Sequence, residues 1–163
     1  MVSDTSERDE HFLRRSFDVA RRAMTHGNHP FGAILVDQHG SVLIESENGY
    51  MPSHDGNAHA ERLLATRACT TLGPEILRNA TLYSSAEPCA MCAGAMYWAG
   101  IGRLVYGLSE HRLRQFTGDH PENLTLDMPC RDVFQTGQRT IEVVGPLLEE
   151  EAAALHEGVW DRK

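Results

Sequence analysis

The chain has 163 residues, 41% of them hydrophobic and 23% charged, enough for a proper core and, as an expectation, for one domain over residues 1–163. The formal net charge is −8, Lys163 is the only lysine and no basic run occurs, which makes a nucleic-acid partner an unfavourable reading; Arg112 and Arg114 read as a solvated helix face. No apolar run approaches the ~20 residues that span a bilayer, and the polar MVSDTSERDE start does not resemble a signal peptide, so neither membrane insertion nor export is expected.

In chain order, Phe12, Leu13, Phe17, Ala20 and Met24 recur at helical spacing and predict a helix from about Ser6 to Thr25, ended by His26-Gly27-Asn28. Phe31 to Val36 and Ser41 to Glu45 read as two strands of a hairpin about the turn Asp37-Gln38-His39-Gly40. A polar loop, Asn48 to Asn57, leads to a helix from Ala58 to about Leu72, with Asn57 as N-cap and Gly73-Pro74 as its break. Thr81 to Ser84 reads as a strand, and Pro88 is well placed as first residue of a helix reaching about Ala99. Arg103 to Gly107 is a fourth strand, and Glu110 to Phe116 is helical. Thr117 to Pro129 is a polar loop, Cys130 to Gln135 one or two helical turns, Thr140 to Val144 a fifth strand and Leu147 to Trp160 a final helix. The order predicts an α/β chain, with one mixed sheet covered by helices on both faces and parallel pairing of its last two strands.

His59-Ala60-Glu61 and Pro88-Cys89-Ala90-Met91-Cys92 carry the chemistry. One imidazole and two thiols are three ligands for a tetrahedral Zn²⁺, with the fourth position open for one water or hydroxide. Cys89 and Cys92 lie three apart, so both project from one helix face at its first turn, where the helix dipole favours thiolates. Glu61 is then free to move protons. His59 and Glu61 do not share a face in mid-helix, so the arrangement requires the metal to sit off the helix end. The pattern matches the H-x-E…P-C-x-x-C signature of zinc nucleobase deaminases. Two other readings stay open: a structural zinc completed by His29, His54 or His120, and a redox pair, although the latter leaves His59 and Glu61 unexplained. A metal-type Cys-x-x-C among four cysteines points to a reducing compartment, and cytoplasmic localisation is expected; Cys69 and Cys130 read as ordinary buried or half-buried thiols.

On these residues, with Pro30-Phe31-Gly32-Ala33, Asn48 and Ser85 to Ala95, the chain resembles the cytidine deaminase-like superfamily, in particular the branch of bacterial guanine deaminases and tRNA adenosine deaminases. The resemblance covers nearly everything from Pro30 to Gly107. It implies a five-stranded α/β/α sandwich, a homodimer with shared active-site edges, and substrate contacts from Phe31, Asn48, the backbone of Ala60 and Trp98. His29 departs from the family pattern and is a candidate polar contact to the base. Guanine deaminases of this kind place a second acid after the fourth strand, and Asp119 is the nearest match; His156 and Trp160 are candidates to close the pocket. The expectation is hydrolytic deamination of a free nucleobase or small nucleoside, purine preferred and guanine first. The alternatives are a tRNA adenosine deaminase, a deaminase of cytosine, a triazine or a pterin, and a zinc-stabilised binding module without turnover.

Overall fold

The computed structural model describes residues 4–161. A long helix α1 (Asp4–Thr25) precedes the hairpin β1 (Gly32–Val36) and β2 (Val42–Glu47). Then come α2 (Ala60–Thr71), the short α3 (Pro74–Arg78), β3 (Thr81–Ala86), α4 (Ala90–Ala99) and β4 (Arg103–Leu108). The C-terminal third holds α5 (Glu110–Thr117), α6 (Cys130–Phe134), β5 (Glu142–Val144) and α7 (Glu149–Ala154). The five strands form one sheet in the order β2-β1-β3-β4-β5. β1 runs antiparallel to both β2 and β3, while β3, β4 and β5 are parallel.

The central strands are buried along almost their whole length because both sheet faces are covered, and their side chains divide by alternation except at the end of β4, where Leu108 turns to the side of Val105. Ala33, Leu35, Leu82, Leu104 and Tyr106 point to the side holding α2, α4 and α6, where they pack on Leu64, Ala68, Ala93 and Met96. Ile34, Val36, Tyr83, Val105 and Leu108 point to the side of α1 and α7 and meet Phe12, Leu13, Phe17 and Ala153. The result is a three-layer α/β/α sandwich. α1 approaches β1 so closely that a Cβ at Gly32 would collide with the backbone of Ala20 and Ser16. A buried carboxylate ties the same helix to the sheet: Asp9 accepts from the Tyr83 hydroxyl at 2.9 Å and from both terminal nitrogens of Arg103 at 2.7 Å.

Several expected boundaries move. Met24 is 39% exposed, and the buried stripe of α1 ends at Ala23 instead. Gly73-Pro74 does not simply break α2: Pro74, with its fixed φ, opens α3. α2 begins at Ala60 with His59 as N-cap, not Asn57. α4 begins at Ala90 with Cys89 as N-cap, two residues after Pro88. α7 stops at Ala154, well short of Trp160, and Leu148 enters it at φ 51°. Cys130 is fully buried as expected, whereas Cys69 is exposed.

Candidate active site

α2 and α4 pack side by side over the sheet, and their N-caps meet. His59 and Cys89 both have extended backbone at the cap, φ/ψ of −70°/147° and −65°/175°, which turns their side chains off the helix ends. Neither side chain caps its own helix. His59 Nδ1 lies 3.6 Å from Cys89 Sγ and 3.5 Å from Cys92 Sγ, and the three ligand atoms lie within 4.8 Å of one another. Bonds of about 2.0–2.1 Å to nitrogen and about 2.3 Å to sulfur at tetrahedral angles put N and S about 3.5 Å apart, so the spacing fits one Zn²⁺. Among the described residues these three are the only His/Cys/Asp/Glu group arranged to hold a metal ion, and His29, His54 and His120 do not join it.

The electrostatics agree with a cation. Cys89 is pushed down to about 4, chiefly by a hydrogen bond from Cys92 and also by one from His59, against the opposing effect of burial. The same Cys89–Cys92 hydrogen bond, with burial, raises Cys92. A coordinated divalent cation takes both as thiolates. His59 is raised, first by its hydrogen bond with Cys89. Glu61, on the first turn of α2 and 5% exposed, is pushed up to about 7 by burial, with His59 pulling the other way. Because His59 is the cap and Glu61 lies just inside the helix, both reach one cavity despite being two apart.

That cavity has a volume of about 290 Å³. His59, Glu61 and Cys89 form its floor, and Phe31, Asn48 and Tyr50 one wall. The expected contacts Phe31, Asn48 and His29 all line it. Asn48 is 7% exposed and its Oδ1 accepts the Tyr50 N–H at 3.0 Å. Leu113 and residues 121–126 roof it. His29 Nε2 meets Glu122 Oε2 at 2.7 Å and so ties the wall to the roof. Behind them, Trp160 stacks on His29 at 4.3 Å, and Phe31 lies 5.2 Å from the buried His156.

Three expected site residues are not among those that line the cavity. Trp98 is 85% exposed and is not among the lining residues. It is six positions after Cys92, about 240° around α4, so it faces away when Cys92 faces inward. Asp119 is exposed and also outside the lining, although residues 121–126 just beyond it belong to the lining. Ala60 is fully buried between the lining residues His59 and Glu61, its carbonyl accepting the Ser46 hydroxyl at 2.7 Å. The acid that does follow β4 into the cavity is Glu110. It is 5% exposed and pushed up to about 8, by burial first and then by the charges of Cys89 and Glu61. Sequence reasoning missed it because Ser109-Glu110 looks like any helix start; Ser109 indeed caps α5 through the Arg112 N–H. Tyr50, Asp55 and Glu122 were missed for want of any pattern.

Residues 6–108 match the family model of the cytidine and deoxycytidylate deaminase zinc-binding region. The chain is 40% identical over 161 residues to a probable cytosine deaminase of Schizosaccharomyces pombe, covering 98% of this chain and 96% of that one. It is also 40% identical to the guanine deaminase of Bacillus subtilis, but over 103 residues, 63% of this chain and 65% of the other. A solved structure from a study of A-to-I editing by tRNA:A34 deaminases superposes with a TM-score of 0.68 at 32% identity, covering 90% of this chain and 99% of that one. The residue pattern, the sandwich and the clustered ligands thus converge with these similarities, and the chain belongs to the zinc-dependent, hydrolytic cytidine deaminase-like family.

Proposed function

We propose that the protein, as one domain over residues 1–163, hydrolyses the exocyclic amine of a free nucleobase, with cytosine as the first substrate. The observation that carries the reaction is the convergence of His59, Cys89, Cys92 and buried Glu61 on one roofed cavity. Its volume of about 290 Å³ is at the lower edge of the roughly 300–1,000 Å³ of small-molecule sites, and suits a single base. The end-to-end similarity to a probable cytosine deaminase supports the pyrimidine, since it includes the C-terminal third that builds the roof. Guanine, the first expectation from sequence, is the second reading, supported by the shorter match to a guanine deaminase.

When bound, zinc supplies a Lewis acid that makes water a nucleophile near neutral pH. Glu61 accepts the proton the attacking water loses. It passes that proton to the ring nitrogen beside the reacting carbon, then takes the hydroxyl proton of the tetrahedral adduct and passes it to the leaving amine, so that the C=O bond forms, the C–N bond breaks and ammonia departs. Burial, which favours the protonated form of this carboxyl, supports its giving protons back as well as taking them. Phe31 packs on the ring and the Asn48 amide hydrogen-bonds to it, its Oδ1 being held by Tyr50. His29 is placed to meet the base from the wall. Glu110 offers the second carboxyl in the role the sequence suggested for Asp119.

The outward face of α4, with Met91, Gly94, Ala95 and Trp98, supports a homodimer, and Met91 belongs to both that face and the cavity. No helix among the described residues is long and apolar enough to cross a membrane. Free thiols and a thiolate metal site favour the cytoplasm.

The test is ammonia release by the zinc-loaded protein from cytosine, guanine, adenine and their nucleosides. Cytosine should give the highest kcat/KM. Turnover of guanine alone would select the second reading. Turnover only of tRNA, with tight salt-sensitive binding, would overturn the free-base assignment, and no ammonia from any of them would leave a binding module.

A further inference from the structure

Glu87 is a buried acid to which the chemistry above assigns no task. It is 6% exposed and stands between the end of β3 and the Pro88-Cys89 turn. Its own N–H donates to Leu108 O at 2.7 Å, at the end of β4. Its two carboxylate oxygens are used separately. Oε1 accepts the N–H of Glu110 at 2.9 Å and Oε2 accepts the N–H of Cys130 at 2.8 Å. Those two residues open α5 and α6, and they bracket the segment that contributes Glu110, Leu113 and residues 121–126 to the cavity. Beyond α5, whose Leu113 is in the core, residues 118–129 form neither helix nor strand, with Leu124 84% and Leu126 54% exposed, so little core burial holds that stretch down.

We propose that Glu87 is a positioning residue: one carboxylate pins both ends of the cavity roof to the turn that carries Cys89, and so fixes how closely the roof closes on the bound base. The geometry is specific to a group with two acceptors. Gln at this position offers only one acceptor oxygen in place of the two that Glu87 uses. Glutamine is the informative case, because it keeps size and one acceptor but turns an NH₂ toward the other backbone donor. The proposal rests on the deaminase reading for its kinetic consequence, though not for its structural one.

The test pairs residue-resolved amide exchange with kinetics on the zinc-loaded, full-length protein. In the wild type, the Glu110 and Cys130 amides should exchange slowly while residues 119–128 exchange fast. Glu87→Gln should release one or both anchors, speed their exchange about tenfold or more, and hasten proteolysis in the roof. Its KM for the best base should rise about tenfold, with kcat within about twofold and zinc still at one ion per chain. Fast exchange of both amides in the wild type would overturn the proposal, even if the variant did not fold. So would unchanged exchange and KM in Glu87→Gln, or a loss of zinc and kcat in place of KM. If the wild type releases no ammonia from any base, the deaminase reading fails, while the exchange measurement still decides the anchoring.

Discussion

The Trp160 indole donates to Nδ1 of His156 at 3.0 Å, and this bond decides which nitrogen of a buried imidazole carries the proton. Nδ1 is the acceptor, so Nε2 bears the hydrogen, and Nε2 is buried without a hydrogen-bond partner among the described residues. Burial first, then the nearby His29, hold this ring down to about 4 from an ordinary 6.5. Above about pH 6.5 the ring is neutral in both folded and unfolded chains and carries no pH-dependent cost. Between about pH 6.5 and 4 the unfolded chain takes up a proton that the folded chain refuses, and stability falls by up to about 3 kcal/mol. Denaturant unfolding at about pH 7.5 and 4.5 should show a steeper loss for the wild type than for His156→Phe. Equal losses would assign the acid sensitivity to other groups.

Glu61→Gln should keep one zinc per chain and lose about 10²–10⁴-fold in kcat, because the amide can neither accept nor return the protons. Metal analysis together with ammonia release checks both halves. A variant with near-normal kcat would remove Glu61 from the mechanism.

Glu110 and Asp119 separate cleanly. Glu110→Gln alters a buried, cavity-lining carboxyl and should lower kcat/KM by about tenfold or more. Asp119→Asn alters an exposed side chain outside the lining and should stay within about twofold. The opposite ranking would restore Asp119 as the second acid.

Trp98 offers a test of assembly. An indole 85% exposed on an apolar helix face is a strong candidate interface anchor. Trp98→Arg should weaken self-association in sedimentation equilibrium, with the monomer's circular dichroism unchanged. A wild type that is monomeric at all concentrations would refute the dimer.

The legible parts of this molecule were the local ones. The apolar run of β1 and the alternation of β2 follow from how strands meet a core, and the Cys89/Cys92 spacing placed two ligands on one helix end. The off-axis position required for His59 and Glu61 is met because His59 is an N-cap. What stayed hidden depends on contacts distant in sequence. Glu110 is a first-turn acid until the fold carries it to Glu61, and Glu122 matters through its bond to His29, 93 residues earlier. That Trp98 stands exposed outside its own chain's cavity was hidden too, because identity within a motif does not say which way a helix face turns.

The central claim is a zinc site with three protein ligands and one corner open to solvent. X-ray absorption at the zinc edge of the metal-loaded protein tests it most directly. The account predicts two sulfurs at about 2.3 Å and two light atoms at about 2.0 Å, only one of them showing imidazole scattering, and the same shell in Glu61→Gln. A third sulfur or a second imidazole would close the fourth position and contradict the catalytic assignment.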